Sequence, residues 1–192
     1  MIHRLQKNRM MVVIGILLFI MFSWTIYWFY ISAKQVTDSL ITQQVEQLAK
    51  ILNEINDTCK IITIKHDKNY IDFLNIKSFV GSEVGPLNLA YPDQWKGPYL
   101  NENLSIQGKS YELVKAHGGY YVVPGEGVKL SNGKIIGKDI MFDSNTDIEQ
   151  YINEQGGLEY ENRPLAIPVF RDKQSLKDVA QNELLDVDDD NL

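Results

Sequence analysis

The chain changes abruptly from an apolar N-terminal stretch to an alternation of apolar and polar residues. All residues from Met10 to Ile31 lack charge, and most of them are large and apolar. At about 1.5 Å per helical residue the run spans roughly 33 Å, which matches the hydrocarbon core of a bilayer. No comparable run follows Ile31. The pattern predicts one transmembrane helix at residues 10–31.

The charges that flank this run predict its orientation. Arg4, Lys7 and Arg9 precede it, and the first acidic residue is Asp38. Because positive charge stays on the cytoplasmic side, residues 1–9 are predicted to be cytoplasmic and the C-terminal domain to lie outside. Aromatic rings, which settle at the headgroup level, crowd the far end of the run. These are Trp24, Tyr27, Trp28, Phe29 and Tyr30.

A cleaved secretory signal is the competing interpretation of the same segment. Its apolar core is usually about 7 to 15 residues long, which is shorter than the run seen here. Ile31-Ser32-Ala33 is also a poor small-x-small cleavage site. A retained anchor is therefore the favoured interpretation.

An amphipathic pattern follows the apolar run without a helix breaker, since neither Pro nor Gly occurs between Gly15 and Gly81. The spacing predicts that the helix continues through residues 32–66, with its apolar positions along one face. That face either contacts another subunit or packs on a sheet of the same chain. Its members are Ile41, Val45, Leu48, Leu52, Ile55, Cys59 and Ile62.

The remaining sequence predicts an α+β domain over residues 67–174, in which the long N-terminal helix packs on a small antiparallel sheet. A short second helix followed by a loop is predicted within 67–89. Strands are predicted at 104–106, 111–115 and 120–123, because β-prone residues there are separated by glycines.

Turn and cap signals continue the pattern toward the C-terminus. Asn132-Gly133 predicts a tight hairpin with two positive backbone angles, and Thr146-Asp147-Ile148-Glu149 has the spacing of a capping box. Late strands are predicted at 158–160 and 165–170, with Arg163-Pro164 at the turn and Pro168 confining the second strand to an edge. Residues 175–192 are predicted to form a final helix and an acidic tail.

Charge and cysteine content narrow the possible partners. Beyond residue 10 the chain carries 16 basic and 25 acidic residues, which makes nucleic acid an improbable partner. The lone Cys59 has no partner for an internal disulfide. The domain is therefore expected to be stable through packing, and a metal or neighbouring subunits are optional further sources of stability.

Catalytic motifs are weak, so no enzyme is predicted. On a continuing helix, Cys59 and His66 would lie about 10 Å apart, too far for a nucleophile and its base. His117 beside two glycines fits a hairpin connection, and Gly125-Glu126-Gly127 fits a turn rather than a phosphate loop. An exported hydrolase or thiol enzyme that uses His117 or Cys59 remains a distant alternative.

One loop carries a family resemblance. The segment Pro92-Asp93-Gln94-Trp95-Lys96-Gly97-Pro98-Tyr99-Leu100 resembles the W-x-G-P-Y-L segment of type II secretion pseudopilins similar to the major one. Trp95 and Tyr99 are expected to anchor this loop, and Gly97 and Pro98 to shape it. We predict that Trp95 is mostly buried. With the basic N-terminus and the continuous helix, the layout is similar to that of type IV pilins and pseudopilins.

This chain departs from the family at the N-terminus. Members carry a glycine before the cut of the prepilin peptidase and a glutamate five residues into the mature chain. Here the basic leader ends in Arg9-Met10-Met11, and no acidic side chain precedes Asp38. The proline common in the pilin membrane helix is also absent. The usual processing site is therefore missing.

The resemblance implies a structural subunit of a secretion or fibre apparatus in the bacterial inner membrane. Subunit contacts are expected through Ile41, Val45 and Leu48, with no cofactor and no reaction. The alternative is a single-pass envelope protein whose exported domain binds another exported protein or a sugar polymer without assembling into a fibre.

Calcium enters as a weak possibility through the same resemblance, since major pseudopilins bind it near the C-terminus. Asp186, Asp188 and Asp190 alternate as calcium ligands do, but no twelfth-position glutamate follows them, so an EF-hand is excluded. Alternative donors are Asp139, Asp143 and Asp147. Solvated carboxylates without a metal are the default interpretation.

Overall fold

The computed structural model describes residues 2–153 and 157–170, and it describes side chains for 13–29, 36–153 and 157–170. These residues form an α+β fold with a long N-terminal helix and antiparallel sheets. The predicted C-terminal helix and acidic tail lie outside the described residues.

Helix α1 runs without a break from Ile2 to Cys59, as the absence of breakers predicted. It ends seven residues before the predicted position 66. Lys60 takes a left-handed backbone angle (φ 54°), which stops the helical hydrogen-bond pattern and turns the chain. The carbonyls of Cys59 and Lys60 instead accept hydrogen bonds from the Tyr91 and Ala90 amides, at 2.9 and 2.8 Å. A pairing partner elsewhere in the chain therefore decides where α1 ends.

The first half of α1 leaves its apolar side chains exposed over residues 13–29. Phe19, Trp24 and Phe29, for example, are 72%, 67% and 78% exposed. Within the described residues, the structure contains no helix that is both sufficiently long and sufficiently apolar to cross a membrane.

The second half of α1 is buried on one face by the rest of the chain. The buried positions repeat every three or four residues, as the stripe predicted, and form one cluster with residues of the sheets. The buried residues of this stripe are Ile41, Val45, Leu48, Leu52, Ile55 and Cys59. Ile62, the last predicted member, lies beyond the helix and is 61% exposed.

The chain forms two larger antiparallel sheets, and the second of them lies against this face. The first has the order β1-β4-β3, with β1 at Ile61–Ile64, β3 at Glu83–Val84 and β4 at Leu87–Leu89. The second has the order β11-β8-β7-β2. Its strands are β2 (Lys68–Tyr70), β7 (Glu112–Ala116), β8 (Gly119–Val123) and β11 (Ile167–Val169).

Four smaller elements complete the described fold, and one of them is a turn of 3-10 helix at Pro92–Gln94. Strands β5 and β6 form one two-stranded hairpin, and β9 and β10 form another. The short helix α2 lies between the two hairpins in the sequence. The bounds are β5 (Ser105–Ile106), β6 (Lys109–Ser110), α2 (Ile148–Asn153), β9 (Glu159–Tyr160) and β10 (Arg163–Pro164).

The predicted second helix within 67–89 is wrong. The chain there forms β2, then an irregular stretch, then β3 and β4. Ile71, Phe73 and Leu74 are buried, and the Ile71 amide donates to the Tyr111 carbonyl at 2.9 Å. Long-range pairing with β7 and its flank thus overrides a local pattern that is compatible with helix.

The central hairpin at Gly118-Gly119 and the edge position of Pro168 are confirmed. The expected form of the Asn132-Gly133 turn is wrong. A bridge joins Lys129 to Ile135, but the Gly133 amide donates to Leu130, so Ser131 and Asn132 are the central residues. Of the turn residues, only Gly133 has a positive φ, 88°. This geometry is that of a three-residue hairpin with a bulge.

The turn with two positive angles occurs instead between β9 and β10. Its central residues Glu161 and Asn162 have φ of 50° and 61°. Arg163-Pro164, predicted as the turn, is strand β10. Neither central residue is glycine, so the turn signal of this hairpin is weak in the sequence.

The start of α2 is shifted by one residue from the predicted capping box. Asp147, rather than Thr146, caps the helix, because its carboxylate accepts the Gln150 amide at 3.1 Å. The Thr146 hydroxyl is bound to Asp143 in the preceding turn, at 3.0 Å. Thr146 and Asp147 can both cap a helix, and sequence spacing alone does not show which of them does.

A buried carboxylate joins α1 to the hairpin around Ser131. Asp38 is 1% exposed, and its two oxygens accept the Ser131 amide at 3.1 and 3.2 Å. The Ser131 hydroxyl also bonds to Asp38. This contact fixes the hairpin to α1 at Asp38, which lies seven residues beyond the end of the apolar run.

Candidate functional site

The Trp95 loop forms an aromatic cluster that links two irregular segments. Its indole N–H donates to the Ile76 carbonyl at 3.1 Å. Its ring meets Phe79 and Tyr99 edge to face, at centroid separations of 5.4 and 4.9 Å. Such contacts stabilise a site beyond the area they bury. The loop is thus anchored by its aromatic residues, as predicted.

Gly97 is required in this loop by the close approach of its neighbours. A Cβ at position 97 would lie 2.3 Å from the Trp95 indole nitrogen and 2.4 Å from the Ile76 carbonyl oxygen. The peptide between Gly97 and Pro98 is cis. Any larger residue at 97 would therefore displace the indole from its hydrogen bond.

Trp95 is buried over most of its surface and packs against the hydrophobic core, as predicted, although it is not fully buried. Trp95 joins two loops, whereas Tyr99 reaches the end of α1 beside Thr58. Burial raises the pKa of the Tyr99 hydroxyl above its ordinary value. The cluster therefore seats the loop against the helix end through Tyr99.

Replacing Trp95 with alanine is expected to lower the free energy of unfolding by about 2 kcal/mol, less than the 3 to 5 of a fully buried aromatic residue. Thermal unfolding of the full chain in detergent measures this loss. Trp95→Phe is the matched variant, since it keeps a ring but removes the N–H donor. An unchanged melting temperature in Trp95→Ala would show that the ring is a binding residue and not an anchor.

The residues predicted for subunit contact are not available for it. Ile41, Val45 and Leu48 are 0%, 0% and 1% exposed, and they pack in the core of their own chain. Burial of apolar area against the sheets is the stabilising outcome for this stripe. The prediction that these three side chains contact another subunit is wrong, and the alternative of packing on the chain's own sheet is confirmed.

A charged cluster that the sequence analysis did not identify lies on the second sheet. Glu112 is 1% exposed, and one of its oxygens lies 3.3 Å from the Lys68 ammonium. Glu126 lies 3.1 Å from the same ammonium, and its own amide donates to Glu112 at 3.2 Å. Pairing of β2 with β7 brings Lys68 and Glu112 together across 44 positions of sequence. No local spacing signals this contact.

The pKa of Lys68 is raised in this cluster. Burial lowers it, but the adjacent Glu112 and Glu126 carboxylates raise it by more. Burial also raises the pKa of Tyr111, whose hydroxyl donates to the Gln44 side chain at 2.6 Å. Both groups therefore hold their protons more tightly in the folded chain than in the unfolded chain.

Stability is expected to decrease at high pH for this reason. A proton held more tightly by the folded chain stabilises it fully below the unfolded pKa, which is about 10 for tyrosine and about 10.4 for lysine. The contribution is lost as the pH rises through the folded values. Denaturant unfolding at pH 8, 10 and 11.5 measures the decline. A smaller decline is expected in Lys68→Met, and an identical profile would contradict the contribution of Lys68.

The candidate catalytic residues do not come together. Cys59 is a buried core residue at the end of α1, whereas His66 is exposed beyond β1. His117 is exposed in the turn between β7 and β8, and its amide donates to Thr146. These three side chains lie on separate elements, so the structure assembles no nucleophile and base from them.

The internal calcium candidates each have a structural role. Asp139 accepts the Ile135 amide at 2.9 Å, and Asp147 caps α2. Asp143 accepts the Asn145 amide, and this hydrogen bond holds the pKa of its carboxyl below the ordinary value. Across the described ranges, no group of three or more His, Cys, Asp or Glu side chains is placed to hold a metal ion. The other candidates, Asp186, Asp188 and Asp190, lie outside those ranges.

No family model matches this chain, and neither does any curated protein or solved structure.

Proposed function

We propose that this chain is a membrane-anchored, pilin-like structural subunit of a secretion or fibre apparatus. The observation that carries the proposal is α1, one unbroken helix from Ile2 to Cys59. Its first half exposes apolar side chains, and its second half is covered by antiparallel sheets. A helix that is apolar all round needs lipid or other helices around it. The proposed role requires no reaction and no cofactor.

The aromatic loop supports the pilin-like part of the proposal. Trp95 and Tyr99 hold this loop against the end of α1. This agrees with the expectation, drawn from the resemblance, that the two aromatic residues anchor the loop. The stripe of α1 that is buried in its own chain cannot also form the contact between subunits. Because Ile41, Val45 and Leu48 are covered, we assign the subunit contacts to the apolar half of α1 and to its exposed polar face beyond residue 36. Members of that face are Gln43, Glu46, Gln47 and Lys50.

Photo-crosslinking in native membranes tests the proposal. A photoreactive residue at Ile16 or Phe19, both well exposed, is expected to give adducts with another copy or with other helices of a secretion apparatus. Met141, which is 65% exposed on the domain, is the matched control position and is expected to give fewer adducts. Monomer and lipid adducts alone from all three positions would contradict the proposal.

The second candidate is a single-pass envelope protein that does not assemble. It is favoured by Arg9-Met10-Met11, which offers no glycine for the prepilin peptidase. Mass spectrometry of the native N-terminus separates the two. A chain that begins at Met1 or Ile2 favours the second candidate, whereas one that begins near Met10 or Met11 favours processing as in pilins.

A further inference from the structure

A groove of about 400 Å³ lies between strand β1 and the aromatic side chains of Tyr120 and Phe170. Its volume falls within the roughly 300 to 1,000 Å³ that is typical of ligand sites. Its lining combines polar groups with apolar side chains, as a site for a peptide backbone and its side chains requires. The lining residues are Asn56, Ile61, Ile62, Thr63, Ile64, Tyr120 and Phe170.

Two asparagines, one turn apart on α1, hold the walls of this groove. The Asn56 side chain accepts the Ile61 amide at 3.2 Å, at the start of β1. The Asn53 side chain accepts the Phe170 amide at 3.0 Å, and the Phe170 ring meets Tyr120 at a centroid separation of 6.2 Å. Because both walls are tied to the same helix, the groove is formed in advance, and binding costs little conformational freedom on its side.

The groove runs along the open edge of β1. All four residues of β1 line it, although neighbouring side chains point to opposite faces of a sheet, so it follows the edge of the strand rather than one face. β4 pairs with one side of β1, and no strand pairs with the other side within residues 2–153 and 157–170. Ile62, in β1, is 61% exposed. Such an edge is a template for an added extended segment.

Positive charge flanks this edge. Lys60 and Lys65 are exposed at the two ends of β1, and neither forms an ion pair among the described residues. The Asp67 carboxylate is already paired with Lys115 at 3.8 Å. The exposed carboxylate of Asp57 is then the nearest in sequence that is not paired within the described part of the chain. Two available ammonium groups against one carboxylate favour an acidic occupant.

The same lysines disfavour pairing of β1 with a second copy of itself. In a symmetric antiparallel pair centred on residues 61–64, Lys60 would lie opposite Lys65 of the other copy at both ends. Like charges directly opposite one another destabilise a pair of strands, whereas opposite charges stabilise it. The charges at the ends of β1 therefore favour a partner that is not this chain.

We propose that β1 accepts an extended segment of another protein in which apolar and acidic residues alternate. The segment adds one strand to the first sheet, and its backbone bonds to the open edge of β1. Since alternate residues of a strand share a face, its apolar side chains contact Ile62, Tyr120 and Phe170, and its carboxylates lie toward the two lysines. This binding role goes beyond that of a structural subunit. It requires no assembly, so its failure would leave the proposed subunit role unaffected.

Peptide binding to the full chain in detergent tests the inference. The probe is a fluorescein-labelled peptide of about seven residues that alternates valine and glutamate. Fluorescence anisotropy is expected to show that it binds at least about tenfold more tightly than a matched peptide that alternates valine and lysine. Equal affinities, or no binding of the glutamate peptide, would overturn the inference.

A methylated probe tests whether β1 pairs with the backbone of the segment. Methylation of every peptide nitrogen removes the N–H donors of the glutamate peptide but keeps its side chains. Its affinity is expected to fall at least about tenfold. An unchanged affinity would show that only side chains are recognised, which contradicts pairing with β1.

Charge variants locate the site. Lys60→Glu with Lys65→Glu is expected to weaken binding of the glutamate peptide at least about tenfold. Lys129→Glu with Lys138→Glu is the matched control, because both lysines are exposed at the hairpin around Ser131 and the net charge changes equally. The control is expected to weaken binding less than about twofold. Thermal unfolding verifies that both variants are folded, and equal losses in the two would overturn the site.

Oligomeric state in detergent identifies the other possible occupant of the groove. Ile62→Glu places a charge on the exposed apolar residue of β1. If the parent chain bound no peptide but formed a dimer that Ile62→Glu dispersed, the groove would belong to a second copy and the inference would be overturned. We expect the parent and Ile62→Glu to have the same oligomeric state, and only the parent to bind the glutamate peptide.

Discussion

Replacing Leu48 with alanine is expected to lower the free energy of unfolding by about 3 kcal/mol. Leu48 is 1% exposed in the interface between α1 and the sheets, so truncation leaves a cavity that the surrounding residues only partly fill. The melting temperature of the full chain in detergent should fall by about 10 °C for a domain of this size. Near-ultraviolet circular dichroism follows the domain rather than the helix.

Gln47→Ala is the matched control on the same turn of α1. Gln47 is exposed, so its truncation is expected to change stability by less than about 0.5 kcal/mol. Comparison of Leu48→Ala with Gln47→Ala shows whether position 48 belongs to the core of its own chain or contacts another subunit. If Leu48→Ala melted like the parent but lost crosslinked partners, Leu48 would contact another subunit, and the packing described here would be incorrect.

Replacing Lys68 with methionine is expected to cost about 2 to 3 kcal/mol at neutral pH. Removal of the ammonium leaves the Glu112 carboxylate, 1% exposed, without its opposite charge. Breaking a buried pair typically costs about 3 to 5 kcal/mol. We expect less here because the Lys68 side chain is 37% exposed and water screens the pair. Denaturant unfolding at pH 7 measures the loss.

Glu112→Gln in the same chain provides the control. The double variant Lys68→Met with Glu112→Gln removes the uncompensated charge, so most of the lost stability is expected to return. A double variant that is less stable than Lys68→Met alone would show that Glu112 is held mainly by its other contact, the Glu126 amide at 3.2 Å. The cycle therefore measures how strongly the two side chains interact.

The candidate site was only partly visible in the sequence. The aromatic loop could be predicted, because Trp95, Gly97 and Tyr99 lie within a few residues of one another and shape one turn. The charged cluster could not be predicted, since Lys68 and Glu112 meet only after β2 pairs with β7. A groove along β1 was also hidden, because its lining combines Asn56 of α1 and residues 61–64 of β1 with Tyr120 of β8 and Phe170.

The sequence by itself determined the features that depend on neighbours along the chain. Absence of helix breakers predicted the single long helix, spacing of three and four predicted its buried stripe, and β-prone runs between glycines predicted the central hairpin. The α+β class follows from these local patterns.

Only the tertiary structure decided the features in which two distant segments compete for the same backbone. The carbonyls of Cys59 and Lys60 accept hydrogen bonds from the Tyr91 and Ala90 amides, respectively, so α1 ends before its apolar pattern does. The segment after it pairs with β7 instead of forming a second helix. The sequence also left open which surface the buried stripe of α1 packs against, because an apolar face is stabilised by any apolar surface that covers it. Packing against β8 and β11 of the same chain, within one hydrophobic core, settled that choice.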